Sequence, residues 1–289
     1  MPTRRSLLAA AGSGVILPLA AGAQSSTGPA ESASALVDTN AALGQWPFRH
    51  HPLAPASALA RKLRLLGVTS AWTGNYDALL HKDISGVNQR TATDCQRHGA
   101  GILVPVGELN LALPDWREDL RRIVEVHRMR VVRLHPNYHG YGLDSPEFGA
   151  LLELAAGLRL LVQITVAMED ERTLHPLMAV PPVDTGPLAT LLPSIPGARA
   201  QLLNAFRATR GLALGSLAKA GAVFEIATLE GVEGVAKMLD TLPAEALCFG
   251  THAPFFYPES ALLKLKESPL TPDQLEAVRH RNAGRLMAV

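Results

Sequence analysis

At 289 residues, 47% hydrophobic and 18% charged, the chain can bury one sizeable core, which excludes a largely disordered protein. A formal net charge of +1, with no cluster of Lys and Arg interleaved with aromatics, excludes the electrostatic footprint of a nucleic-acid binder and leaves a small-molecule substrate as the expected partner. Two cysteines, Cys95 and Cys248, make no disulfide framework and read as apolar fillers.

In chain order, residues 1–23 combine Arg4-Arg5, an apolar run and the small triplet Ala21-Gly22-Ala23. This is the layout of a cleavable export signal, and TRRSLL resembles the twin-arginine type. The expected location is periplasmic or secreted, with no membrane span left after cleavage. Residues 24–34, QSSTGPAESAS, read as a disordered linker. The folded domain is expected over 35–289, and a homo-oligomer is compatible with everything in it.

From Ala35 onward, short apolar or β-branched runs alternate with helical patterns. Strands are expected at 35–40, 68–73, 101–107, 130–135, 160–166, 199–204, 222–227 and 246–252. Helices are expected near 54–66, 83–98, 115–128, 146–157, 185–193, 209–219, 231–240 and 271–287. Eight strands each followed by a helix predict an α/β fold, a single-domain (β/α)8 TIM barrel, with a doubly wound open sheet as the runner-up. Neither a GxGxxG turn nor a GxxxxGK[ST] loop occurs, which removes the best support for the open-sheet nucleotide folds.

Strands buried on both faces should be almost continuously aliphatic, and these are not. Asp38, Asn40 and Ala42 alternate onto one face, as do Arg133 with His135 and Gln163 with Thr165, while Asn204, Glu225 and His252 stand near the ends of the last three strands. Barrel enzymes place their chemistry at the C-terminal strand ends, so these polar groups are expected to converge on one another or on a ligand. Arg133 and Glu225 read as an internal ion pair. The loops add His135 and His139 in HPNYHGYG, Glu169, Asp170, Arg172 and His175 in EDERTLH, and Trp46, Phe48 and Arg49 after the first strand. Glu171 reads as solvated.

Three segments resemble the amidohydrolase superfamily, specifically its amidohydrolase-related branch of hydrolases and decarboxylases: VDTNAALG, VVRLHP with VQI and EDERTLHP, and CFGTHAPFF with the closing NAGRLM. The resemblance implies a metal-dependent TIM barrel. It also shows where this chain departs from the pattern. The family's first-strand His-x-His falls on Asn40 and Ala42, its fifth-strand His near Gln163 or Thr165, its sixth-strand His on Asn204, and its last-strand Asp on His252. Asn and Gln are poor zinc ligands and Ala is none, so no conventional metal site is expected.

Three functions follow. The first is a hydrolase without a conventional metal, acting on a small carboxylated lactone or ester. Here His252, His135 and Glu169 supply acid–base catalysis, and Asn40, Arg49, Arg133, His139, Gln163, Arg172 and Asn204 hold the substrate. His252, in the position of the family's proton acceptor, would act as a base titrating near neutrality. The second is a hydrolase or decarboxylase with one divalent metal such as zinc, relocated to His135, His139 and His252 with Glu169 or Glu225. The third is an exported ligand-binding barrel without catalysis.

Overall fold

The strands run in chain order as β1 (Val37–Leu43), β2 (Ser70–Asn75), β3 (Leu103–Pro105), β4 (Gly107–Leu109), β5 (Val131–Leu134), β6 (Leu161–Thr165), β7 (Ala200–Leu203), β8 (Val223–Glu225) and β9 (Leu247–Cys248). The computed structural model describes residues 35–170, 172, 174 and 179–288. The export signal (1–23) and linker (24–34) lie outside the described residues, as do Glu171 and His175.

Each neighbouring pair from β1 to β3 and from β4 to β9 is parallel. Segments β3 and β4 occupy one barrel position. Pro105 has no N–H to give the ladder, so the strand breaks there, and Val106 N resumes contact with Thr73 O at 2.9 Å. Beyond the break, an outer side chain takes the place of a neighbouring strand. Asn88, on the helix Ile84–His98, donates to Glu108 O at 2.9 Å and accepts from Glu108 N at 2.7 Å. The barrel closes from β9 to β1 through Thr39 N to Phe249 O at 3.0 Å, His252 N to Asn40 O at 2.7 Å and Ala42 N to Ala253 O at 2.8 Å. Asp38 pins this seam, accepting from Thr251 Oγ1 at 2.6 Å and Thr251 N at 3.0 Å.

The surrounding helices follow the sequence pattern closely. Trp116–Glu125 buries Trp116, Leu120 and Ile123 at helical spacing and turns Glu118, Arg121 and Arg122 outward as ion pairs. Ser145 caps Pro146–Gly157 with Pro146 at its first position, and Thr271 with Gln274 forms a capping box at Pro272–Glu276. The last expected helix is one path in three pieces, with a π-helical turn at Ala277–Arg281 ahead of Asn282–Met287. There Asn282 donates to Ala244 O and Leu247 O, both at 2.7 Å, and so anchors the base of β9.

A polar layer crosses the barrel where aliphatic side chains would be expected. Glu108, Arg133, Gln163 and Gln201 are aligned across successive strands. Gln163 accepts from Arg133 Nε at 2.9 Å and donates to Thr39 O at 2.8 Å and Gln201 Oε1 at 2.9 Å. Gln201 donates in turn to Thr39 Oγ1 at 2.9 Å. Thr39 thus reaches the interior too, because the β1 register shifts between Asp38 and Ala41, so strict alternation does not hold there. Among the described residues no helix is long and apolar enough to cross a membrane.

Candidate active site

Above the polar layer, Asn40, Tyr76, Glu108, His135, Asn204 and His252 surround a cavity of about 10 Å³, the room one water needs. Its most organised feature is a carboxylate–imidazole pair. Glu108 Oε2 lies 3.0 Å from His135 Nε2, and Glu108 Oε1 accepts from Asn75 N at 2.8 Å. A hydrogen on Nε2 satisfies the carboxylate and leaves the lone pair on Nδ1. That Nδ1 is buried and has no hydrogen-bond partner. Gly74 makes room for the arrangement, since a Cβ there would stand 2.3 Å from Glu108 Oε1 and 2.7 Å from Arg133 Nη1.

A second network ties β1, β7 and β8 together. Asn40 Nδ2 donates to Asn204 Oδ1 at 2.9 Å and Glu225 Oε1 at 3.1 Å, while Glu225 also accepts from Asn204 N and Ala227 N, each at 2.6 Å. Burial pushes the Glu225 carboxyl above its usual range against these donors. Gly250 permits the approach, because a Cβ there would meet Glu225 Oε2 at 2.4 Å. The expected Arg133–Glu225 ion pair is corrected: Arg133 instead donates to Gln163, to Ala41 O at 2.9 Å and to Trp72 O at 3.4 Å.

His252 sits in the same mouth, 3.0 Å from Met168 O through Nε2 and stacked on Phe255. Burial lowers its pKa to about 3, with the Met168 carbonyl opposing, so it is a neutral imidazole and does not titrate near neutrality as expected. His139 is held to Ala78 O at 2.9 Å, and burial lowers its pKa to about 4. Asn204 and His252 both take positive φ, 56° and 55°. Non-glycine residues rarely hold that conformation, and here both lie at strand ends in the mouth.

An aromatic cap covers the cavity. Trp46 makes edge contacts with Tyr76, Tyr138 and Phe255, and its Nε1 donates to Glu169 Oε1 at 2.7 Å. The other Glu169 oxygen pairs with Arg49 at 3.3 Å, and Arg49 lies over the Phe255 ring. Glu169 is therefore a latch between two loops as well as a carboxylate at the mouth.

Beside the cap lies an outer cleft of about 300 Å³, which shares Met168 and Asn204 with the inner cavity. Arg172, Arg207 and Arg210 line it. Arg172 is largely exposed and pairs with Asp170, and Arg207 bridges Asp170, at 2.6 Å, and Glu230.

The structure thus brings Asn40, Arg133, His135, Asn204 and His252 to one cavity, places Gln163 in the layer beneath, and puts His139, Arg49, Glu169 and Arg172 around them. Sequence reasoning missed Glu108, Tyr76, Arg207 and Arg210. For Glu108 there was a signal, a lone carboxylate inside the apolar run VPVGELNL.

No protein-family model matches the chain, and no curated protein matches it in sequence. Solved structures do match. A 2,6-dihydroxybenzoate decarboxylase from Rhizobium superposes with a TM-score of 0.67 at 12% identity, over 88% of this chain and 98% of that one. The chain therefore shares the (β/α)8 barrel fold of these proteins. The same fold is shared with an amidohydrolase-like protein of Staphylococcus aureus, at TM-score 0.63 and 10% identity over 89% and 99% of the two chains. It is shared also with a 5-carboxyvanillate decarboxylase of Novosphingobium aromaticivorans holding manganese and a nitrobenzoic acid, at 0.67 and 9% over 89% and 97%.

The conventional ligand positions do not fit such a metal in this barrel. Ala42 offers no donor atom, Asn204 Oδ1 accepts from Asn40 Nδ2, amide oxygens are poor ligands in any case, and no group of three or more His, Cys, Asp or Glu is gathered for an ion among the described residues. In the relocated set, the Nε2 atoms of His135, His139 and His252 are held by Glu108, Ala78 O and Met168 O. His135 Nδ1 and His139 Nδ1 have no hydrogen-bond partner, but these imidazoles are not gathered with a carboxylate into a group of three or more among the described residues.

Proposed function

We propose that this barrel hydrolyses a small carboxylated lactone or ester by acid–base chemistry centred on Glu108 and His135. The observation that carries the reading is the free Nδ1 of a buried, carboxylate-oriented imidazole beside a water-sized cavity. His135 Nδ1 takes a proton from the water as its oxygen attacks the carbonyl carbon, and the Glu108 carboxylate stabilises the imidazolium that forms. The Tyr76 hydroxyl, which also borders the cavity and has no hydrogen-bond partner, supplies a donor to the oxyanion. Burial raises its pKa, so it remains a phenol throughout the working range. The imidazolium then returns its proton to the departing alkoxide, giving acid and alcohol. A lactone or ester suits this apparatus better than an amide, whose leaving group needs stronger help.

A second reading is decarboxylation of an aromatic acid, favoured by the two decarboxylases that share the fold. In it the His135 imidazolium protonates the ring carbon as CO2 leaves.

One screen separates them. Purified protein is offered lactones and esters in a pH-stat and hydroxybenzoates with CO2 detection, alongside His135→Gln. Acid release lost in the variant supports hydrolysis, and CO2 release lost in the variant supports decarboxylation. Binding without turnover leaves the non-catalytic barrel. The Thr3-Arg4-Arg5 segment supports export to the periplasm, and Arg4→Lys with Arg5→Lys should retain a reporter fusion in the cytoplasm.

A further inference from the structure

We infer that Arg207, Arg210 and Thr228 form a binding subsite in the outer cleft for a monocarboxylate with a flat or short apolar body. Three groups around this cleft have unused hydrogen-bonding capacity. Thr228 lines it, is 7% exposed, and its Oγ1 has no partner. Arg207 Nε is buried and has no partner, although its terminal nitrogens reach Asp170 and Glu230. Arg210, exposed on the same wall, donates from Nε to Arg207 O at 3.1 Å and has no carboxylate partner among the described residues. A buried hydroxyl without a partner costs about 1–3 kcal/mol, which a ligand acceptor would recover.

Charge sets the class of anion. Among the described residues the cleft wall carries Arg172, Arg207 and Arg210 against Asp170 and Glu230, with Glu169 answered by Arg49, which leaves the Arg210 charge without a carboxylate beside it. A single carboxylate balances it, and the two oxygens of a carboxylate match the planar donor fork of a guanidinium. A phosphate dianion would overcharge the site beside two carboxylates. The body of the ligand is set by the opposite wall, where Met168, Val180, Pro182 and Phe256 are apolar. A volume of about 300 Å³ is at the small end of ligand sites. Met168 and Asn204 border both spaces, so a ligand anchored here points its far end at His135. That direction rests on the hydrolytic reading; the anion site itself does not.

The test is an NMR titration of the full chain with benzoate, benzamide and inorganic phosphate. Benzoate should bind at least tenfold more tightly than benzamide, and added salt should weaken it. Arg210→Gln and Thr228→Val should each weaken benzoate several-fold without changing benzamide, and Arg210→Lys should restore part of the loss. Melting temperatures should stay level for the Arg210 variants and not fall for Thr228→Val, which removes an unpartnered buried hydroxyl. Benzoate binding that is absent, that survives Arg210→Gln, or that merely equals benzamide overturns the assignment. Phosphate binding more tightly than benzoate also overturns it. Glu108→Gln should keep benzoate binding while lowering turnover by about 10²-fold or more. A protein that binds benzoate as described yet hydrolyses nothing would therefore retain this subsite and lose the hydrolase reading.

Discussion

Glu108 Oε2 and His135 Nε2 stand 3.0 Å apart in the barrel mouth, with side chains only 1% and 3% exposed. Away from water, the carboxylate fixes which ring nitrogen carries hydrogen and leaves the other with its lone pair toward the cavity. Glu108→Gln keeps the shape but not the charge, and should lower kcat by about 10²-fold or more. His135→Gln should cost as much, and the double variant little more than either alone, because the pair acts as a unit. Steady-state kinetics on any hydrolysed lactone checks all three.

Asn40 joins β1 to β7 and β8 through one side-chain nitrogen. Asn40→Ala leaves Asn204 Oδ1 and Glu225 Oε1 short of a donor in a buried site. Stability should fall by about 1–3 kcal/mol, read as a lower urea midpoint at unchanged slope.

Acid should destabilise the fold through its buried imidazoles. His252 and His139 have pKa values lowered to about 3 and about 4, against 6.5 in an unfolded chain. Below pH 6.5 the unfolded state therefore binds more protons, and the stability these groups contribute is lost as pH falls toward 4 and 3. Asp38 and Glu225 run the other way, since burial raises both and their neutral forms favour the fold as pH falls. Comparing His252→Gln with the parent isolates one component. Between pH 6.5 and 4 the variant's stability should decline less steeply, whatever its absolute level.

The inner cavity holds about one water, so a substrate carbonyl reaches it only if the Trp46 cap moves. Glu169→Gln weakens the hold on both Trp46 Nε1 and Arg49. Of the three tryptophans, all buried, one should become open to acrylamide quenching, with KM altered more than the transition-state chemistry at His135. Quenching that stays at the parental level would show that the latch does not control the cap.

The architecture was legible because helical and strand periodicities alternate cleanly from Ala35, and each expected helix lies over an observed one. Convergence of polar strand ends was legible for Asn40, His135, Asn204 and His252. Partner choice was not. Arg133 and Glu225 share the interior, but the strand register hands Arg133 to Gln163 and the seam hands Glu225 to Asn40. Glu108 escaped because the third strand was ended one residue early, at Gly107, where Pro105 interrupts the ladder. The depressed pKa of His252 depends on burial under Phe255 and Met168, which residue spacing does not encode. Arg207 and Arg210 lie in an unremarkable loop, RATR, and gain meaning only from the cleft they border.

Asn88 holds the backbone of Glu108 from both sides, acting as a borrowed peptide group supplied by the helical ring. The reach of the Glu108 carboxylate toward His135 is thus indexed by a residue outside the barrel wall that touches neither cavity nor cleft. Evolution or an engineer can retune the acid–base pair by shifting the helix Ile84–His98, without altering a single group that a substrate would meet.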